Sequence, residues 1–189
     1  HASVTPKFPK LEFDYALLEG ETSKNTYLNI CPNIQTNIEL IGMGKLDQYI
    51  TQIPDDIPTE INKIGIATNT LDSFDAVIEL NEEIQKRGIK TIIRPHPRDQ
   101  NIPRYYDTFD HVSDSKTEDF ASFISQIDFQ IAGNSSIHLE AVALRKYSYF
   151  YAFKRNKKED NYGYVRHGLI KEFNLEVLDN KDLYYPERK

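Results

Sequence analysis

Cysteine is all but missing from this chain: Cys31 stands alone among 189 residues. No disulfide can staple the fold, and no His/Cys cluster surrounds the thiol to make a zinc site. A lone Cys of this kind is expected to behave as a small buried hydrophobe. Long apolar runs are also missing, and nothing approaches the roughly 20 residues a membrane span needs. Positive charge is not in surplus, since 23 Lys and Arg face 29 Asp and Glu for a net charge of −6. That balance gives no global electrostatic ground for nucleic acid or an anionic membrane as partner. No signal-peptide pattern opens the sequence, and His1-Ala2-Ser3 reads as an expression remnant or an internal start. The one Gly-x-Gly, Gly42-Met43-Gly44, lacks the third glycine of a dinucleotide fingerprint. No carboxylate cluster offers a metal cage, and no internal repeat is present. A cytoplasmic protein with no metal and no bound cofactor is the expectation. The sequon Asn134-Ser135-Ser136 would matter only in a secreted protein.

What is present is a soluble globular balance, 39% hydrophobic and 28% charged, on a chain long enough for one well-buried domain and too short for two ordinary ones. Strand and helix signals alternate from about residue 62. Lys63-Ile64-Gly65-Ile66-Ala67 reads as a buried strand, and Asp72 is placed to cap a helix with Phe74, Val77, Ile78 and Ile84 on one face. Lys86, Arg87 and Gly88 supply the expected helix ending. Strands follow at 89–93, at His111-Val112, at 129–132 and at 147–153, with a turn or helix at 103–108 and a helix over 136–145. Ser115-Lys116-Thr117-Glu118 has the form of a capping box ahead of Phe120, Phe123, Ile124 and Ile127. This alternation predicts an α/β fold with a doubly wound, Rossmann-like parallel sheet. Residues 1–12 read as a loose segment, 13–60 as a strand–helix–strand ending in a linker at 53–58, and 61–189 as the main domain. The charged stretch 154–163 reads as a loop, and Tyr184-Tyr185-Pro186 suggests that the fold continues past the chain.

Two loops carry the functional signal. Arg94-Pro95-His96-Pro97-Arg98-Asp99 and Gly133-Asn134-Ser135-Ser136 each follow a predicted strand, and open parallel sheets bind ligands at the carboxyl ends of their strands. Arg94 and Arg98 bring guanidiniums that match phosphate, while His96 is held between two prolines that deny it a helix. Ser135 and Ser136 suit a helix N-cap, whose geometry also suits an anion. With Asn134 they complete a candidate phosphate site. Glu140 lies on an otherwise apolar helix, and an unpaired buried carboxylate is costly, so it should meet solvent, a cation or a ligand hydroxyl. His138 reads as a packed or surface side chain, and His167 has too little context to judge.

The order of these features, Ile41-Gly42-Met43-Gly44-Lys45-Leu46-Asp47, then the Arg94-Pro95-His96-Pro97 loop, the 113–128 segment, Gly133-Asn134-Ser135-Ser136 and Glu140, resembles the carboxyl-terminal, donor-binding half of a GT-B glycosyltransferase. It is most similar to the branch holding CDP-glycerol glycerophosphotransferases and related capsule and teichoic-acid enzymes. The resemblance implies that His96 and the paired serines bind the donor's phosphates, that Glu140 lies near the ribose, and that the Ser113-Asp114-Ser115 turn lies near the base. It implies as partners a nucleotide-activated sugar or polyol phosphate, an amino-terminal acceptor domain of which 13–41 is the tail, and peripheral membrane association through the full-length protein. Glu19, before Gly20 at the end of a strand, is the candidate catalytic carboxylate, and this chain alone is expected to bind donor without turning it over. Glycerophosphotransferases carry Asp-Tyr-Ser-Ser where this chain has Gly133-Asn134-Ser135-Ser136. A UDP-N-acetylglucosamine 2-epimerase-like enzyme and a non-catalytic interaction module of a larger envelope-polysaccharide protein are the alternatives.

Overall fold

Lys63–Ala67 (β3) is the middle of the molecule because its side chains alternate between two buried faces. Ile64 and Ile66 point to one face, and Gly65 opens the other. The computed structural model describes residues 4, 8–10, 12–50, 60–153 and 160–179. The linker expected at 53–58, most of the charged loop at 154–163 and Tyr184-Tyr185-Pro186 lie outside them. Lys90–Arg94 (β4) and Phe129–Ala132 (β5) flank β3 in parallel, with Ile66 in register with both Ile93 and Ile131. Tyr147–Phe150 (β6) and the two-residue Lys171–Glu172 (β7) extend the sheet beyond β5, also in parallel. The strand expected at His111-Val112 is reduced to a single bridge from Val112 to Ile93. Across the sheet the order is Val112, β4, β3, β5, β6, β7, which is the strand order of a Rossmann-like α/β fold.

Helices cover both faces. Phe74–Gln85 (α3) and Ile102–Thr108 (α4) pack Val77, Leu80, Ile84 and Tyr105 against Ile64, Ile66, Ile93, Phe129 and Ile131. Glu176–Asp179 (α7) adds Val177 and Leu178 on the same side. Phe120–Ser125 (α5) and Ile137–Ala143 (α6) take the opposite face, where Ile92, Phe123, Ile124, Ile127, Ala141 and Leu144 form a second cluster. A Cβ on Gly65 would lie 2.5 Å from Ile127 Cδ1 and 2.6 Å from Phe123 Cζ. Both side chains are fully packed, so Gly65→Ala is expected to cost about 1–3 kcal/mol by overpacking. A fall in the urea midpoint with an unchanged m-value would show this, and an unchanged midpoint would mean that α5 packs less closely than described.

Three local expectations are corrected. Asp72 does not cap α3; the Ser73 hydroxyl does, accepting from Ala76 N. Ser115 does not open α5 either, because Asp119 accepts from Ser122 N at 2.7 Å and the helix starts after it. Cys31 is half-buried at the C-cap of the helix over Glu21–Ile30 rather than packed in the core. α6 ends two residues before Arg145, which takes φ 55° and closes a Schellman-type ending through Lys146 N to Ala141 O and Arg145 N to Val142 O.

Ahead of the main sheet, Tyr15–Leu18 (β1), Glu21–Ile30 (α1) and Asn37–Leu40 (β2) form a parallel strand–helix–strand. Within the stretch expected to be loose, Val4 is buried and the Phe8 ring meets Tyr27 edge-on. A short 3-10 turn, Gly44–Leu46, leads into Asp47–Ile50 (α2). Leu46 is buried, and Tyr49 packs on the α5–α6 cluster. No helix among the described residues is long and apolar enough to cross a membrane.

Candidate functional site

Because β4 and β5 run parallel, the His96 and Ser135 loops emerge at the same edge of the sheet. β3 lies between them, so two strand spacings, about 10 Å, separate the loops. The ground between is the β3–α3 turn. Asn69 N and Nδ2 donate to Asp72 at 2.8 and 3.0 Å, and Nδ2 also reaches Asn134 O at 3.4 Å. A Cβ on Gly133 would lie 3.0 Å from Asp72 Oδ1, so glycine is what lets this carboxylate approach the end of β5. The turn carries no glycine and does not have the form of a dinucleotide loop.

The expected phosphate residues differ in their surroundings. His96 is half-buried, and its Nδ1 accepts from Arg98 N at 3.1 Å. An accepting ring nitrogen carries no proton, so the hydrogen of the neutral ring sits on Nε2, which is left as a donor. Arg98 is exposed. Arg94 is turned inward. Its guanidinium donates to Ser113 Oγ and to Glu118 O, the latter at 3.0 Å, lies over the Phe123 ring, and is 8% exposed. Burial lowers its pKa, and Glu118, Asp119, Glu140 and Asp114 pull it back up. Ser113, expected near a base, is thereby committed to Arg94 and Glu118. Asp114 accepts from Lys116 N at 2.8 Å, and Ser115 Oγ is buried without a hydrogen-bond partner among the described residues.

In the second loop, Asn134 Oδ1 accepts from Asn161 N at 2.8 Å and ties the segment after residue 160 to the sheet edge. Ser135 Oγ accepts a long bond from Ile137 N, 3.4 Å, while the Ser136 side chain makes no cap bond to α6. The loop's shape comes from beneath. His138 is fully buried, with Nε2 2.9 Å from Gly133 O and Nδ1 2.7 Å from Ser148 Oγ. A carbonyl only accepts, so Nε2 bears the hydrogen and Nδ1 accepts from Ser148, which in turn accepts from Gln130 Nε2 at 3.0 Å.

Glu140 meets a cation. Lys45 Nζ pairs with Glu140 Oε1, the lysine side chain 55% exposed and the glutamate 17%. Glu19, which follows β1, feels the same charges: its Oε2 is buried with no hydrogen-bond partner among the described residues. Burial raises the Glu19 pKa, with Lys45 pulling it down and Glu140 pushing it up. The Lys45–Glu140 pair thus joins the Gly44–Leu46 turn to α6, and the Glu19 carboxylate lies within the field of both charges. Lys45 escaped sequence reading because its partner lies 95 positions away. Asp72 and His138 were legible only as a cap and a packed ring. Among the described residues no group of three or more His, Cys, Asp or Glu is arranged to hold a metal ion.

No family model, curated protein or solved structure matches the chain.

Proposed function

We propose that this chain is the nucleotide-donor-binding part of a GT-B-type transferase, acting on a nucleotide-activated sugar or polyol phosphate in the making of cell-envelope or capsular polysaccharide. The observation that carries the reading is the Lys45–Glu140 ion pair, with the Glu19 carboxylate in its field. A carboxylate suited to a ribose is paired with a cation from a distant part of the chain, and one suited to the acceptor side lies within their field. His96 Nε2 and the Ser135 and Ser136 hydroxyls are the groups left to receive the diphosphate. Arg94 acts from below, holding the 113–118 turn.

The amino-terminal segment supports an acceptor-side half. Phe13, Tyr15, Leu17 and Ile41 are 58–68% exposed, and the β1–β2 register puts Tyr15 and Leu17 on one face. Parallel sheets are ordinarily covered on both faces, and two strands alone are marginal. Further acceptor-side polypeptide would complete this sheet and supply the acceptor, so that donor binding resides here and transfer requires both halves.

Calorimetric titration with CMP, CDP, UMP and UDP tests the reading. Diphosphates are expected to bind more tightly than monophosphates. His96→Ala is expected to weaken diphosphate binding by about 1–3 kcal/mol, the loss of a hydrogen bond to a charged group. Cytidine preference supports the glycerophosphotransferase-like branch, and uridine preference supports the epimerase-like alternative. No binding of any of the four would overturn the donor-binding reading and leave the interaction module, for which the open apolar face is the observation.

A further inference from the structure

We infer that Lys45 is an anion-binding side chain that Glu140 holds in reserve, released to the phosphate groups of a ligand when one arrives at this edge of the sheet. The inference deepens the donor-binding reading and rests on it for the identity of the ligand. The backbone that carries Lys45 is fixed, since Leu46 beside it is 3% exposed and Tyr49 packs on the Ile92–Phe123–Leu144 cluster. The ammonium is not fixed, because it rides on a flexible four-carbon stem that is more than half exposed. An ion pair that open contributes little, so leaving Glu140 is cheap. A phosphate offers a charge-assisted bond in exchange.

Position favours the exchange. Ser136 and Glu140 are four residues apart at the start of α6, so their side chains are neighbours on one helix face. Lys45, bound to Glu140, is therefore held one helical turn from Ser136, whose side chain makes no cap bond. Glu140 is not stranded when the ammonium swings away, because it lies within the field of the Arg94 guanidinium. Its carboxylate is then open to a ligand hydroxyl. One ligand that carries both a phosphate and a hydroxyl pair would use the two halves of the opened ion pair at once.

The test compares inorganic pyrophosphate and CDP, by calorimetry, on the wild type, Lys45→Met, Lys45→Arg and Glu140→Gln. Lys45→Met is expected to weaken pyrophosphate about tenfold, with Lys45→Arg retaining most of the affinity. Glu140→Gln removes the competitor for the ammonium and is expected to tighten pyrophosphate about threefold, the worth of an exposed ion pair, while weakening CDP. The opposite signs at Glu140 are the signature. Unchanged pyrophosphate binding in Lys45→Met, weaker pyrophosphate binding in Glu140→Gln, or no pyrophosphate binding by the wild type would each overturn the inference. CDP that binds independently of Lys45 leaves the donor-binding reading standing while this inference falls. Pyrophosphate that responds as stated while CDP binds no better than pyrophosphate does the reverse.

Discussion

Arg94→Ala is expected to destabilise the fold by about 2–3 kcal/mol, whereas His96→Ala, two residues on, is expected to change stability by no more than about 0.5 kcal/mol. The contrast follows from where the two side chains go. Arg94 is buried at the end of β4, bonded to Ser113 and Glu118 and stacked over Phe123. Removing it strips the Ser113 hydroxyl and the Glu118 carbonyl of a donor and leaves the Glu118 carboxylate short of its cation. Loss of one partner of a fully buried pair costs about 3–5 kcal/mol. Glu118 is 25% exposed and keeps Ser113 and Gln126 as partners, which puts this case at the lower end. At about 2–4 °C per kcal/mol for a chain of this size, the melting temperature should fall by roughly 4–12 °C. Arg94→Lys should recover only part of it, since an ammonium cannot present the planar fork. His96 holds only the turn that follows it, through Arg98 N. If Arg94→Ala melted with the wild type and lost nucleotide affinity, Arg94 would be a ligand group and the buried network would be incidental.

Arg94 also shows what could be read in advance. The strands of the main sheet were legible because their apolar runs are buried on both faces: β3 and β5 fall where expected, β4 is shifted by one residue, and β6 ends three residues short. The shared edge of the His96 and Ser135 loops followed from strand–helix alternation alone. The start of α5 did not. Ser115 to Glu118 fits a capping box, but the Glu118 carboxylate is taken by Ser113, Gln126 and Arg94, and long-range partners outcompete the local cap. β7 exists only because Lys171 and Glu172 lie beside Tyr149 and Phe150; two exposed charged residues carry no period. Within the candidate site, residue types at loop positions were legible, while the orientation of Arg94 and the pairing of Lys45 depend on contacts that no local pattern encodes.

Acidification from pH 6.5 to 4 is expected to remove about 3 kcal/mol of stability through His138 alone. Burial is the main cause of its depressed pKa, which falls from an ordinary 6.5 to about 4. The bond to Gly133 O and the charge of Asp160 act the other way without overcoming it. The unfolded chain takes up a proton at this ring near pH 6.5, and the folded chain does not until near pH 4. In that window the unfolded state binds more protons, so stability rises with pH: the contribution is fully present above about pH 6.5 and is lost as pH falls toward 4. A gap of that size corresponds to about 3 kcal/mol, at about 1.4 kcal/mol per unit. The chain has 5 histidines, so the measurement is a difference: urea unfolding of wild type and His138→Gln at intervals from about pH 7.5 to about pH 4. His138→Gln is less stable throughout because it breaks the Gln130–Ser148–His138–Gly133 chain, yet its stability should fall less steeply between pH 6.5 and 4. Parallel slopes in the two proteins would mean that the ring titrates normally and is open to water. A steeper wild-type slope would establish a neutral imidazole under the Gly133 carbonyl, and with it the donor that sets the shape of the Gly133–Ser136 loop at the ligand edge.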